Sequence, residues 1–224
     1  TNAVVPASGV NANYLAGDDF TNTGAGDLTV TYTVVPVSGA GCSGNPLNIT
    51  LKVNPMPIVS NGLNKAACSG AAVGLTLNTN GVSVAAANYN ISSVSVDPGL
   101  TAGGGNAVIP ANNVATTYLL NDKYTNTGNT SLPVVYTVVP ISAAGCPGPS
   151  QTITITINPE PVVSGSLGNS VCSSTTIGLL LNTNGSSVAA ANYNITGRTV
   201  AGGLTPKGTN VTVPASAVAA NYLA

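Results

Sequence analysis

Four cysteines are the residues of this chain best suited to chemistry, and they form two equivalent sets. Cys42 returns 104 residues later as Cys146, and Cys68 returns as Cys172. Metal-binding cysteines usually stand in CxxC-type clusters, and these four do not. The pattern therefore predicts an oxidising compartment and structural disulfides, with no metal and no cofactor.

Acidic residues offer the second possible chemistry. Asp18 and Asp122 are the only ones that recur at the same spacing. Calcium is usually held by several carboxylates among about six to eight oxygen ligands, and Asp18-Asp19 could supply two. Position 123 is lysine, so the pair is not repeated. We expect turn residues at strand ends, with calcium as the alternative.

Tyrosines are the third candidate. Tyr32 and Tyr136 stand on an apolar stretch, and Tyr14, Tyr118 and Tyr222 share another register of the repeat. Buried rings with hydroxyls bonded to the backbone are the expected arrangement. The alternative is an exposed row for stacking on sugars, which the absence of Trp and the single Phe disfavour.

The composition excludes several functions. The 224 residues include five Lys or Arg, six Asp or Glu and no His, with a net charge of −1. So few cations cannot neutralise a phosphate backbone, which excludes nucleic acid as a partner. Without imidazole there is no catalytic triad of the usual kind, and no apolar run reaches the ~20 residues of a membrane span. We expect no catalytic residues. With no starting Met or signal-like segment, we expect a processed N-terminus or an excerpt of a longer chain.

The elements that position these residues are duplicated. The run VAAANYNI at 84–91 returns unchanged at 188–195, and YTVVP at 32–36 returns at 136–140. A gapless repeat of 104 residues is the size of a domain, which is too long for one turn of a solenoid.

Paired prolines mark the predicted domain boundaries. Two prolines separated by one residue stop ladder pairing and stiffen the chain. These pairs are Pro55 with Pro57 and Pro159 with Pro161. They divide the chain into the C-terminal half of one repeat (1–53), a complete repeat (54–157) and the N-terminal half of the next (158–224).

Within the repeat the sequence pattern predicts strands. Thr and Ile alternate over 151–157, which indicates a strand with one buried face, and 47–53 is its earlier copy. The longer apolar run 132–141 suits a sandwich interior. Further candidate strands are 71–77, 88–96, 106–109 and 117–121. Six to eight strands in ~100 residues are typical of a β-sandwich.

The motifs together identify a family resemblance. Tyr-Thr-Val-Val-Pro, Gly-Cys-Pro-Gly, the Thr/Ile strand and Asn-Pro-Glu-Pro follow one another in 119–161, and 15–57 carries the same elements. This order resembles the PKD-like, immunoglobulin-like repeats of very large secreted Bacteroidetes proteins. The resemblance implies all-β, tandem sandwich domains with a 104-residue period. It also implies a bacterial adhesin or gliding-associated filament exported to the surface, by analogy through the type IX route.

Three cysteine pairings remain open. Sequence-near pairing joins Cys42 to Cys68 and Cys146 to Cys172 across a boundary. The resemblance slightly favours Cys68 with Cys146 inside the complete domain. Immunoglobulin-like topology instead places these two at opposite poles about 23 Å apart, whereas a disulfide needs Cα atoms within about 7 Å. In that third case each bridge joins a domain to the facing pole of its neighbour.

The functional expectation is a non-enzymatic structural segment of a long extracellular or cell-surface fibre or adhesin. Its partners would be neighbouring repeats and other copies in the fibre, together with a surface ligand that the sequence does not identify. One alternative is a spacer or glycan-binding accessory region of a secreted multidomain enzyme. Another is a filament subunit in which half-domains of successive chains complement one another head to tail.

Overall fold

The computed structural model describes residues 2–224, and the chain consists of strands joined by turns and irregular segments, with almost no helix. A single 3-10 turn at Asn61–Leu63 is the helical element in this part of the chain. In chain order the strands are β1 (Leu28–Val34), β2 (Leu47–Val53), β3 (Lys65–Cys68), β4 (Ala86–Val96), β5 (Thr101–Ala102), β6 (Ala111–Val114), β7 (Tyr124–Thr125), β8 (Leu132–Ser142), β9 (Gln151–Asn158), β10 (Tyr193–Ile195) and β11 (Ala215–Val218). Seven of them, β3 to β9, form the predicted complete repeat, with β9 ending one residue beyond its boundary at Asn158, which agrees with the six to eight predicted.

One five-stranded sheet organises the middle of the chain, in the order β3-β9-β8-β4-β6. β8 pairs antiparallel with β4 and with β9, and β3 lies parallel to β9 at the edge. The alternation in β9 buries Ile153, Ile155 and Ile157 and leaves the threonines on the other face. The strands predicted at 88–96, 132–141 and 151–157 are thereby confirmed.

The layer opposite this sheet is less regular than predicted. Its only ladder is the short β5–β7 pair. The predicted strand 71–77 alternates as expected and buries Val73, Leu75 and Leu77, but it pairs with a turn. The amide of Val73 donates to the carbonyl of Asp122 (2.8 Å) and that of Leu77 to Thr116 (2.8 Å), so no ladder forms. The prediction of a regular strand there is wrong, although its side chains face the core.

Two other predicted strands are also wrong. Residues 117–121 form successive turns, in which the amide of Tyr118 donates to Ala115 and that of Leu120 to Thr117. Residues 106–109 are irregular, because the Asn106 side chain bonds both backbone groups of Lys123 in place of a neighbouring strand. Short apolar runs predicted burial at these positions but not the backbone shape.

We use the predicted division to name a first unit (2–53), a complete second unit (54–157) and a third unit (158–224), and the two terminal units lack an enclosed core. The β1–β2 hairpin and the β10–β11 pair are separate two-stranded sheets. All sixteen buried hydrophobic residues of the described chain lie between 59 and 157. Ile49 of β2 is 43% exposed, whereas its equivalent one period later, Ile153, is 1% exposed. The terminal segments therefore expose residues that the complete unit buries.

Candidate functional site

A buried carboxylate connects several parts of the sandwich. Asp122 follows a turn, as predicted for a residue at a strand end, but its side chain is only 2% exposed. One oxygen accepts the backbone amide of Ala107 (2.7 Å), and the other accepts the Tyr136 hydroxyl (2.7 Å). The hydroxyls of Tyr136 and Tyr124 lie 2.9 Å apart. This network ties the 107 segment, the 122 turn, β7 and β8 together.

The same network is half-formed in the first unit. The Asp18 carboxylate accepts the backbone amide of Ala3 and the hydroxyl of Tyr32. These two bonds hold the pKa of Asp18 below its ordinary value, with the Ala3 amide as the larger cause. The bond to Asp18 in turn raises the pKa of Tyr32. Position 20 is Phe in place of Tyr124, so the second hydroxyl is missing.

Burial favours the neutral form of the two core tyrosines and raises the pKa of Tyr124 and Tyr136. Desolvation strongly raises the pKa of Tyr136, and the hydrogen bonds to Tyr124 and Asp122 raise it further. The predicted hydroxyl-to-backbone bonds are present for Tyr14, Tyr118 and Tyr222, which each donate to a carbonyl at 2.9 Å, but the predicted burial is wrong for Tyr14, which is 36% exposed. The predicted backbone bond is wrong for Tyr32 and Tyr136, whose hydroxyls bond carboxylates. A buried carboxylate whose two oxygens both accept hydrogen bonds fixes the segments that donate to it, and we call Asp122 with Ala107 and Tyr136 the Asp122 clamp.

Metal binding has little support from the arrangement of acids. Both oxygens of Asp122 are already used by protein donors. Between residues 2 and 224 there is no group of three or more His, Cys, Asp or Glu side chains placed to hold an ion. The calcium alternative for Asp18 and Asp19 therefore has no support from the described part of the chain.

The four cysteines are free thiols in the structure, and their positions bear on the open pairings. Cys68 lies opposite Asn158 at the end of β9. Cys146 lies in the β8–β9 loop, beyond Gln151 at the other end of that strand. Strand rise separates these two ends by about 23 Å, which exceeds the reach of a disulfide. In this structure the two thiols of the slightly favoured intradomain pair Cys68–Cys146 therefore lie out of disulfide reach, and the pairing of the four cysteines itself stays a prediction.

The remaining pairings depend on which end, or pole, of its sandwich each cysteine occupies. Cys146 lies at the pole that meets the first unit, and Cys68 lies at the pole that meets the third. Cys42 and Cys172 are exposed and occupy the equivalent positions of the terminal units. A bridge between facing poles of consecutive units stays a prediction. Its partners for Cys68 and Cys146 would be the equivalent cysteines of neighbouring repeats, at positions outside residues 1–224.

Two backbone hydrogen bonds join the first unit to the second. The amide of Met56 donates to the carbonyl of Asn22 (2.9 Å), and that of Val84 donates to Gly24 (3.0 Å). The buried Asn22 side chain shapes this loop, since its amide group donates to the carbonyls of Gly26 and Val53 (both 2.9 Å). We call this contact joint 1.

The second and third units meet through the same bonds one period later. The amide of Glu160 donates to Asn126 (2.9 Å), and that of Val188 donates to Gly128 (3.0 Å). The Asn126 side chain is fully buried and donates to the carbonyls of Thr130 (2.8 Å) and Ile157 (2.9 Å). We call this contact joint 2. The two joints thus repeat residue by residue.

The boundary prolines lie inside these joints. Pro55 and Pro57 are buried, whereas Pro159 is half-buried and Pro161 is exposed. Gly148 of the β8–β9 loop packs against Pro57 so closely that an added Cβ would lie 1.8 Å from its carbonyl oxygen. The proline role and the division at 54 and 158 stay predictions.

Sequence reasoning missed the polar residues that shape the joints. These are the two asparagines and a pair of serines whose hydroxyls accept a boundary amide at 2.9 Å: Ser83 from Ile58 and Ser187 from Val162. The sequence feature that could have identified the asparagines is the repeat, because Asn22-Thr23-Gly24 returns as Asn126-Thr127-Gly128. In a chain rich in Asn, Ser and Thr, repetition alone does not single them out.

Comparison with known proteins supports the fold. The PKD-like domain family matches residues 7–57 and 65–161, which together exceed half of the chain. A search of curated proteins found no match. Within residues 2–224 none of the helical structure has the length and hydrophobicity to span a bilayer. PKD-like domains are typically non-catalytic, structural, immunoglobulin-like modules that occur in extracellular proteins. With its sheet order, its buried core and its two matched segments, this chain belongs to the PKD-like domain family.

Proposed function

We propose that this chain is a non-enzymatic structural segment of a long extracellular or cell-surface fibre or adhesin, in which it acts as a stiff extender. The observation that carries the proposal is the repetition of the joint. Met56 and Val84 at joint 1 and Glu160 and Val188 at joint 2 make equivalent bonds of equal length. An array built with one joint geometry has a fixed rotation and rise for each unit.

The chemistry of the joint favours stiffness. Each joint contains a short connection with two prolines, which restrict the backbone. It also has backbone hydrogen bonds to a loop whose conformation is fixed by a buried asparagine. Units that contact mainly their neighbours add their stabilities along an array. Cysteine bridges between facing poles would reinforce such an array in an oxidising compartment. The facing-pole partners lie in neighbouring repeats, so a non-reducing peptide map of this chain should show no Cys68–Cys146 peptide, and that peptide would contradict the bridging pattern.

Hydrogen exchange at the joints tests the proposal. Asn126→Ala removes the donor to two buried carbonyls, so we expect protection of the Glu160 and Val188 amides to fall by about tenfold or more, the equivalent of one hydrogen bond. Met56 and Val84 at joint 1 should be unaffected, which makes them an internal control.

The matched control variant is Asn129→Ala, an exposed residue of the same loop. It should leave the protection of both joints unchanged. If the joint amides of the unmodified chain exchanged as fast as amides in unstructured peptides, the stiff extender would be contradicted, because flexible tethers would then join the units.

A further inference from the structure

The first and last strands of the complete unit lie side by side and run in the same direction. β3 pairs parallel with β9 over four register positions, from Lys65 opposite Ile155 to Cys68 opposite Asn158. The other ladders of this sheet are antiparallel. The chain therefore enters and leaves the unit through two strands that share one ladder.

The joints lie at opposite ends of these two strands. Joint 1 attaches beside Pro57, which contacts Gly148 at the pole where β9 begins. Joint 2 attaches beside Asn126, whose side chain bonds the carbonyl of Ile157 at the pole where β9 ends. Tension between the joints therefore pulls β3 towards joint 1 and β9 towards joint 2, so that the two strands are drawn past each other along their length.

A ladder that is pulled in this direction resists as a whole. When neighbouring strands are drawn past each other, all the hydrogen bonds between them have to break together, whereas strands peeled apart from one end lose them one at a time. Forced unfolding follows the unfolding rate, and that rate falls with each interaction that has to break before the barrier is crossed. The topology of the complete unit therefore favours resistance to tension.

Side-chain and turn bonds extend the ladder at both ends. Before β3, the side-chain oxygen of Asn64 accepts the amide of Thr154 (2.8 Å). After β3, the amide of Ser69 donates to the carbonyl of Asn158 (2.9 Å), and the Ser69 hydroxyl accepts the amide of Asn126 (2.8 Å). Since Asn126 belongs to joint 2, the ladder is bonded directly to the point where tension leaves the unit.

The segment that leads from joint 1 to β3 is also bonded to the unit. The amide of Asn80 donates to the carbonyl of Ile58 (2.9 Å), and the amide of Ser60 donates to the carbonyl of Asn78 (3.1 Å). Val59, between these two bonds, is fully buried. Tension that enters at joint 1 is therefore shared between this segment and the β3–β9 ladder.

We propose that the complete unit bears tension along the array and that the β3–β9 ladder is the element that resists unfolding. This inference rests on the proposed structural role, because only joints that hold the units in line direct the tension along the two strands. A fibre of such units would transmit a pulling force without unfolding.

Pulling single molecules of the full chain by its termini, with the cysteines reduced, tests the proposal. Unfolding of the complete unit is identified by a length gain on the order of 30 nm, since an extended chain spans about 3.3–3.6 Å per residue. Asn64→Ala removes one bond of the extended ladder. We therefore expect unfolding at a fixed force to become about fivefold faster, the equivalent of one hydrogen bond.

The matched control is Asn90→Ala. The side-chain oxygen of Asn90 also accepts one backbone amide of a neighbouring strand, that of Asn113 (2.9 Å), but this bond joins β4 to β6 at the opposite edge of the sheet. Both variants should lose a similar amount of unfolding free energy in urea, whereas only Asn64→Ala should unfold faster under tension. A merely structural role of Asn64 would not produce this difference.

The direction of pulling provides a second test. In a chain with Cys42→Ser, Cys146→Ser and Cys172→Ser, one handle is attached to the exposed Cys68 and the other to the C-terminus. Tension then peels β3 from the end of the ladder at Asn158, one register position at a time. We expect the unfolding force to be at least about twofold lower than for the same chain pulled by its termini.

Equal unfolding forces in the two pulling directions would overturn the proposal, and so would an Asn90→Ala chain that unfolds under tension as fast as Asn64→Ala. These failures are distinguishable from failure of the proposed structural role. Protected joint amides in a chain that yields equally in both directions would overturn the ladder alone, whereas unprotected joint amides beside a resistant unit would overturn the stiff extender.

Discussion

At the scale of single residues, three polar side chains meet inside the sandwich, and each depends on the others for a hydrogen-bond partner. Asp122 accepts from Tyr136, and Tyr136 also contacts the hydroxyl of Tyr124. In water each group would be solvated, so the network stabilises the fold only while every partner is present. The equivalent Asp18–Tyr32 pair lies in the first unit, which has no enclosed core, and provides a comparison within the same chain.

Replacing the buried carboxylate should be costly. Asp122→Asn leaves one carboxamide oxygen to serve two donors and turns an amide group towards them, so we expect a loss of about 2–3 kcal/mol in the free energy of unfolding. Urea unfolding followed by tyrosine fluorescence measures it. Asp18→Asn is the control and should not move the main transition. Equal effects of the two changes would show that burial is not the cause.

Alkaline pH should weaken the same network. Folding raises the pKa of Tyr136, so its contribution to stability is complete below the unfolded-state value of about 10 and declines as the pH rises above it. Unfolding free energies at about pH 8 and pH 11 should therefore differ less in Tyr136→Phe than in the unmodified chain. If the unmodified chain and Tyr136→Phe lost the same unfolding free energy between these pH values, the alkaline sensitivity would belong to other groups.

At the scale of elements, a loop glycine holds the β8–β9 hairpin against the start of the domain. An added Cβ at Gly148 would meet the Pro57 carbonyl oxygen at 1.8 Å, and neither backbone can move freely. We expect Gly148→Ala to lower the free energy of unfolding by about 2 kcal/mol or more. The measurement is the urea midpoint at constant slope.

Gly44→Ala is the matched control for this substitution. Gly44 is equivalent to Gly148, and a Cβ there would meet only Pro36, with the nearest atom in the proline ring at 2.9 Å and no contact equivalent to that with Pro57. It should therefore cost less than Gly148→Ala. A Gly148→Ala protein as stable as the unmodified chain would show that the loop does not pack on Pro57.

The elements also show how far the sequence could be interpreted. The period, the strands 88–96, 132–141 and 151–157 and the buried face of 71–77 were predictable, because alternation records which side chains avoid water. The backbone at 106–109 and 117–121 was not, since hydrogen bonds from Asn106 and successive turns replace a ladder there. The clamp at Asp122 was missed as well, because burial of a carboxylate depends on partners distant in sequence.

At the scale of the whole molecule, the near absence of charge fits an array of contacting units. Among residues 2–224 the one ion pair, Lys52 with Asp27, is exposed on the first unit and contributes little. The joints are made of backbone bonds, asparagine amides and prolines. Such contacts need little desolvation of charge and should respond weakly to salt.

Small-angle X-ray scattering tests the central claim, a rigid extended array, most directly. We predict the profile of one elongated particle whose maximum dimension is the same at low and high salt. Asn22→Ala combined with Asn126→Ala should broaden the distance distribution, since both joints lose the side chain that shapes them. A broad distribution of bent shapes in the chain with intact joints would contradict the account.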